Sequence, residues 1–263
     1  MKPVSALSAD EARGLRGVLF DLDDTLLTHG VLTRAAYDAL WAMKDAGLRL
    51  LAVTGRPSGW GEVIARQWPI DAAVTENGAI VIARDGNGVA RSERCDENER
   101  RARRVRLARI IDDVREAVPE ARLTDDVEAR RADVTWDIGE RVKLPEDRVA
   151  EIARVIARAG ARSFASSVHV HATFDIDDKA SGTLHYLART FGEDAGAATS
   201  SRYAFFGDSG NDAACFGAFR VTFAVANVRA HLARIPVTPR YVAAGAMGEG
   251  FAEIAREIVA RRG

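Results

Sequence analysis

Two carboxylates, Asp21 and Asp23, stand in the segment DLDDTL at the end of the short apolar run GVLFD. Residues i and i+2 at the end of an extended strand point the same way, so both acids can enter one pocket. A carboxylate is a competent nucleophile toward phosphorus, and a covalent intermediate splits one hard displacement into two easier ones. A second carboxyl alongside can protonate the leaving oxygen, then take the proton of the attacking water. Alone, the segment reads equally well as a solvated strand-end turn, where Asp is favoured.

Three further segments change that balance. Thr54-Gly55-Arg56 follows the apolar run LRLLAV, and its hydroxyl, with backbone N–H groups freed by Gly55, can hold a phosphate oxygen. Lys179, in FDIDDKASG, is one of only four lysines in the chain and opens a helical pattern, where the positive end of the helix dipole disfavours it. A lysine suits a point neutralisation of phosphate and carboxylate. GDSGND, after YAFF, adds Asp208 and Asp212 with Asn211 between them. A cluster of four carboxylates repels itself unless a cation occupies it, and oxygen ligands beside a phosphate favour Mg²⁺. Each segment alone passes for a turn; in this order, each after its own strand, they define one phosphoryl-transfer site.

The elements that must position them alternate. Strands are expected at 17–21, 48–53 and 72–75, helices from Thr33 to Gly47 and over 58–67, and a hairpin around AIVIA between Asn77-Gly78 and Asp85-Gly86-Asn87-Gly88. Later come a helix through Leu184, Leu187 and Phe191, strands at 203–206 and 220–225, and a helix over 251–259. This order predicts an α/β fold, a doubly wound parallel sheet with ligands at the carboxyl ends of its strands. From about residue 89 the pattern breaks. Charge is dense from Arg91 to Arg109, apolar residues recur at helical spacing (Leu107, Ile111, Val114, Val118), and the strand-like DVTWDIG and SSVHVHATFDI flank a helix at 149–159. Two strands and two helices suit an inserted α+β cap. The division predicted is an N-terminal extension over 1–16, core over 17–88, cap over 89–173 and core over 174–263. Ser8 and Glu11 have capping-box spacing for a short helix within the extension.

DLDDTL, TGR, Lys179 and GDSGND, spanning Asp21 to Asp212, resemble the four motifs of the haloacid dehalogenase superfamily. The resemblance implies Asp21 as nucleophile, Asp23 as general acid/base, Thr54 as phosphoryl-binding, and Lys179 as the balancing charge. It implies Mg²⁺ held by the Asp21 carboxylate, the Asp23 carbonyl and Asp208, with Asp212 binding or orienting the metal's waters. Gly55, Arg56 and Asn211 would lie by the phosphate. Thr54 follows Asp21 by 33 residues, room for one crossover helix, whereas Lys179 follows Thr54 by 125. The insertion between the second and third motifs is similar to the type-two-cap subfamily: Cof-like sugar phosphatases and sucrose-phosphate, trehalose-phosphate and mannosyl-phosphoglycerate phosphatases. ENGA at 76–79 also resembles a segment common before that cap. DLDD where relatives often have Gly fourth, and DDKASG without the usual Lys-Gly pair, depart from the pattern. A cap would exclude water and read the leaving group. His169 and His171, alternating on one strand face, either touch substrate or form a half-exposed strand face.

Bulk properties exclude other classes. A net charge of -1 and pI near 6.5 give no broad footprint for nucleic acid or an acidic membrane. No apolar stretch approaches the ~20 residues that span a bilayer. Cys95 and Cys215 lack ligand or framework spacing, and the N-terminus lacks a signal peptide's apolar run, so a cytoplasmic monomer or homodimer is expected. The expected partner is a small phosphorylated metabolite, a sugar or sugar-acid phosphate. Alternatives are a phosphotransferase or mutase using the same aspartyl-phosphate, a carbon-halogen hydrolase, and a non-catalytic regulator on the same fold.

Overall fold

GVLF, RLLAV, AAVT and YAFFG are apolar runs of four or five residues, and each forms a strand buried almost throughout. Only a sheet covered on both faces accommodates such runs. The computed structural model describes residues 1–166 and 168–263. The chain forms two units: residues 1–55, 61–92 and 177–263 make the first, and 56–60 with 93–176 the second.

In chain order the elements up to the insertion are β1 (Lys2–Pro3), α1 (Ala9–Gly14), β2 (Gly17–Phe20), α2 (Arg34–Asp45), β3 (Arg49–Val53), α3 (Ser58–Gln67), β4 (Ala72–Thr75), β5 (Ile80–Asp85) and β6 (Gly88–Glu93). The insertion carries α4 (Glu97–Ala117), β7 (Arg122–Leu123), β8 (Asp133–Asp137), α5 (Glu146–Arg158), β9 (Arg162–Ala165) and β10 (His169–Thr173). There follow α6 (Lys179–Phe191), the short α7 (Ala195–Ala197), β11 (Tyr203–Gly207), α8 (Ala213–Ala218), β12 (Val221–Ala224), β13 (Tyr241–Val242) and α9 (Met247–Arg262).

The first unit is a nine-stranded sheet in the order β1-β13-β12-β11-β2-β3-β4-β5-β6. Strands from β1 to β4 pair in parallel; β5 turns back antiparallel on β4. Caps end and start the helices as their chemistry requires. Thr33 accepts from the Ala36 N–H at the start of α2, Ser8 from Glu11 at the start of α1, and Gly192 closes α6 in the left-handed region (φ 64). Phe20, Phe206, Phe223 and Phe251 meet edge-on with centroids 5.2 to 5.4 Å apart, tying β2, β11 and β12 to α9. Each such pair adds about 0.5–1.5 kcal/mol beyond its burial.

The second unit is a four-stranded antiparallel sheet, β7-β8-β10-β9, with α4 and α5 on one face. Val134, Trp136, Val170 and Ala172 face Leu107, Val114, Ile152 and Ile156 in its core. The two strands expected here are four, because β7 has two residues and the edge strand β9 (RSFA) is mostly exposed and shows no alternation to read. In α4 the buried apolar positions are Leu107, Ile110 and Val114, with Val118 buried just past its end and Ile111 beside them at the margin. Position 167, inside the run SSVHVHATFDI, lies outside the described residues. Among the described residues no helix is long and apolar enough to cross a membrane.

Candidate active site

Parallel strands deliver three of the motifs to neighbouring strand ends. The chain leaves β2 for β3 on one side, while β11 pairs with β2 on the other. Such a switch point opens a crevice at the carboxyl ends of the strands. Asp21 follows β2, Thr54 follows β3 and Asp208 follows β11. Asp21 stays extended and donates its N–H to the Phe206 carbonyl (3.0 Å). The chain then turns tightly through Leu22–Leu26, pinned by the buried Leu22 and Leu26, with Asp24 at φ 54. Asp23 is half-buried in that turn and its backbone is still extended.

Lys179 is the first residue of α6, fixed by a reciprocal cap in which Asp178 accepts from the Ser181 N–H and Ser181 Oγ from the Asp178 N–H (2.8 and 2.9 Å). Its ammonium is buried and bridges Asp21 Oδ1 (2.7 Å) and Asp212 Oδ1 (2.8 Å). Asp212 is itself oriented by the Asp208 and Ser209 N–H groups, which donate to its Oδ2 (2.9 and 3.2 Å). Gly207 permits this approach, since a Cβ there would lie 2.5 Å from Asp212 Oδ2. The structure thus brings together Asp21, Lys179, Asp208 and Asp212 from segments up to 191 residues apart.

Burial raises the Asp21 carboxyl to about 7, with the neighbouring Asp212 and Asp23 pushing the same way and Lys179 opposing. Burial and the charges of Asp212 and Asp21 raise Asp208 to about 8. For Lys179 burial works against the charge, but Asp21 and Asp212 outweigh it and hold the ammonium protonated. One cation therefore serves three buried carboxylates, leaving the group two negative charges in excess when all are ionised. One oxygen from each of Asp21, Asp208 and Asp212 lies within 4.8 Å of the others. An all-oxygen, anionic donor set of this kind fits a hard divalent cation.

Two residues outside the expected set hold Asp208. Thr25 Oγ1 donates to its Oδ1 (3.3 Å), and Asn227 Nδ2 donates to its Oδ2 (2.8 Å) and to the Asp24 carbonyl (3.0 Å). Thr25 stands inside DLDDTL and could have been read from it. Asn227 sits alone in a short 3₁₀ helix after β12, where no local pattern marks it. Thr54 is buried, its N–H donating to the Val74 carbonyl, and Asn211 is half-buried in the turn before α8. Gly55 follows Thr54 in the first unit, and Arg56, His169 and His171 belong to the second. Arg56 stacks over Trp60 there (4.5 Å to the ring centroid). His171 is buried, with Nδ1 2.8 Å from Asp133 and its ring stacked on Phe164, whereas His169 meets Glu140 at 2.8 Å.

Comparison with known proteins now bears on this geometry. The model of the haloacid dehalogenase-like hydrolases matches residues 18–100, which include Asp21, Asp23 and Thr54. A solved structure from Thermoplasma acidophilum superimposes with a TM-score of 0.70 at 19% identity, over 93% of this chain and 98% of that one. The fold is that of the haloacid dehalogenase-like hydrolases. Sucrose-phosphatase from Synechocystis, solved with sucrose and phosphate, has the same fold (TM-score 0.65, 17% identity, 93% and 98% of the two chains). So does a Bacteroides thetaiotaomicron protein described among the phosphatases of the haloalkanoate superfamily (0.62, 18%, 93% and 95%). No curated protein matches the sequence at a significant level. The resemblance to the haloacid dehalogenase superfamily, and the α/β sheet with a small additional antiparallel sheet, both hold.

Proposed function

We propose that this chain is a Mg²⁺-dependent phosphatase that hydrolyses a small phosphomonoester through a phosphorylated Asp21. The observation that carries the reading is the buried Asp21 carboxylate, gripped at one oxygen by Lys179 within a cluster of acids that one cation leaves under-neutralised. A carboxylate oxygen of Asp21 attacks phosphorus, and the bond from phosphorus to the ester oxygen breaks. The Asp23 carboxyl gives its proton to the departing alkoxide. In the second half Asp23, now ionised, takes a proton from water as that water attacks the aspartyl phosphate, which releases inorganic phosphate and restores Asp21. Thr54 and the N–H groups beside Gly55, with Asn211, hold phosphoryl oxygens, and Lys179 opposes protonation of Asp21 and aligns it. Asp21, the Asp23 carbonyl and Asp208 would hold Mg²⁺, with Asp212 beside them, and the ion would supply the positive charge that lets an anionic phosphoryl group approach these carboxylates.

A sugar phosphate is the favoured substrate class. The Synechocystis neighbour was solved with sucrose and phosphate, which supports that choice for a chain of the same fold. The test is phosphate release from a panel of sugar and small-acid phosphates with Mg²⁺, run with wild type, Asp21→Asn and an EDTA control. Turnover that disappears in both controls supports the proposal. Turnover that survives Asp21→Asn refutes it, and phosphate passed to added sugar without release identifies a transferase instead.

A further inference from the structure

Three successive residues after β4, Glu76, Asn77 and Gly78, have positive φ values of 49, 53 and 103°. Backbone of this kind is costly for Glu and tolerable for Asn and Gly, and it persists only where the surroundings over-determine it. The surroundings here are the first turn of α6. A Cβ on Gly78 would lie 2.1 Å from the Asp178 carbonyl oxygen, and one on Gly182 would lie 2.2 Å from the Gly78 carbonyl oxygen. The turn is therefore locked onto the helix end that carries Lys179.

This locked turn presents Asn77 to the second motif. The Asn77 N–H donates to the Thr54 carbonyl (3.1 Å). Its carboxamide lies against Gly55, where a Cβ would stand 3.2 Å from Oδ1 and 3.3 Å from Nδ2. The side chain is only 6% exposed, yet neither Oδ1 nor Nδ2 has a hydrogen-bond partner among the described residues. Asn227 in the same unit shows the contrast: its carboxamide donates twice and accepts once. Buried amides are satisfied as a rule, and an exception calls for a ligand or a cost in stability.

We infer that Asn77 is a substrate-binding residue whose Nδ2 donates to a phosphoryl oxygen held at Thr54–Gly55, an inference that rests on the phosphatase reading above. An amide nitrogen offers two N–H groups and carries no charge, so it binds an oxyanion without competing with Lys179 for Asp21. The strained turn serves as its mount, and because the carboxamide is covered beside Gly55, the Gly55 turn must yield slightly for a phosphoryl oxygen to reach Nδ2.

The test uses inorganic phosphate as the probe, titrated calorimetrically into the full chain with Mg²⁺. Wild type is compared with Asn77→Asp, which keeps shape and replaces the donor by a repelling acceptor, and with Asn77→Gly, which keeps the positive φ. Phosphate affinity should fall about tenfold in Asn77→Gly and further in Asn77→Asp, while the melting temperature of Asn77→Gly stays close to wild type. A carboxamide with a purely structural role gives the opposite pair of results, a lowered melting temperature with phosphate affinity unmoved, and that overturns the inference while leaving the phosphatase reading intact. Wild type that neither binds phosphate nor releases it from any ester overturns the reading and the inference together.

Discussion

Both units bury charge, and they do so to opposite effect. In the second unit Arg130 and His171 enclose Asp133 (3.0 and 2.8 Å), and although burial favours the neutral acid, those partners pull its carboxyl down to about 2. Arg100 likewise spans Asp175 and Glu93 with all its nitrogens engaged. In the first unit burial and mutual repulsion raise Asp21 to about 7 and Asp208 to about 8, and Lys179 cannot serve both of them and Asp212. A buried acid held down by cationic and hydrogen-bonding partners holds a fold together; acids raised by mutual repulsion are poised for something from outside. Identical residue types thus separate into scaffold and site by what their neighbours do to the charge, not by their burial.

The largest expected effect lies on the site side. Asp21→Asn should lower kcat on the order of 10⁵-fold, read from phosphate release with the best substrate, while the chain stays folded. On the scaffold side Asp133→Asn should take one carboxylate from Arg130, which keeps Asp126, and weaken the bond to His171, costing about 1–3 kcal/mol in denaturant unfolding. Acid should expose the same contrast more gently. Asp133 has a folded value below the ordinary 3.8, so its contribution is present above about pH 4 and is lost as pH falls toward 2. That loss amounts to about 2 kcal/mol. The smallest effect has the opposite sign. Asp208→Asn removes a repelled carboxylate while its shape remains for Thr25 and Asn227, so the metal-free chain should gain about 1 kcal/mol and melt roughly 2–4 °C higher. The same variant should lose the stabilisation that Mg²⁺ gives wild type. A destabilised, metal-free Asp208→Asn would erase the distinction between the two clusters.

The strands that deliver the site were legible because each is a buried apolar run that ends in acids or a hydroxyl, as at Phe20-Asp21 and Val53-Thr54. The edges were not. β1 is Lys2–Pro3 and β13 is Tyr241–Val242, too short for any periodicity, and their pairing follows from what the rest of the sheet leaves open. Ile110 takes the buried place that spacing alone offered to Ile111, because a helix under a twisted sheet buries a broad stripe. At the site, the motif residues announce themselves by composition. Asn227 and Asn77 do not, since one is a single amide after β12 and the other looks like an ordinary Asn-Gly turn. Their positions become informative only when Asp208 and Gly55 are seen beside them.

The central claim is that the phosphoryl group passes through Asp21. Turnover of the best substrate, quenched in acid and followed by peptide mass mapping, tests it directly. A phosphorylated peptide containing Asp21, absent from Asp21→Asn, is the predicted result. Phosphate carried on any other residue, or steady turnover in Asp21→Asn, would contradict the account.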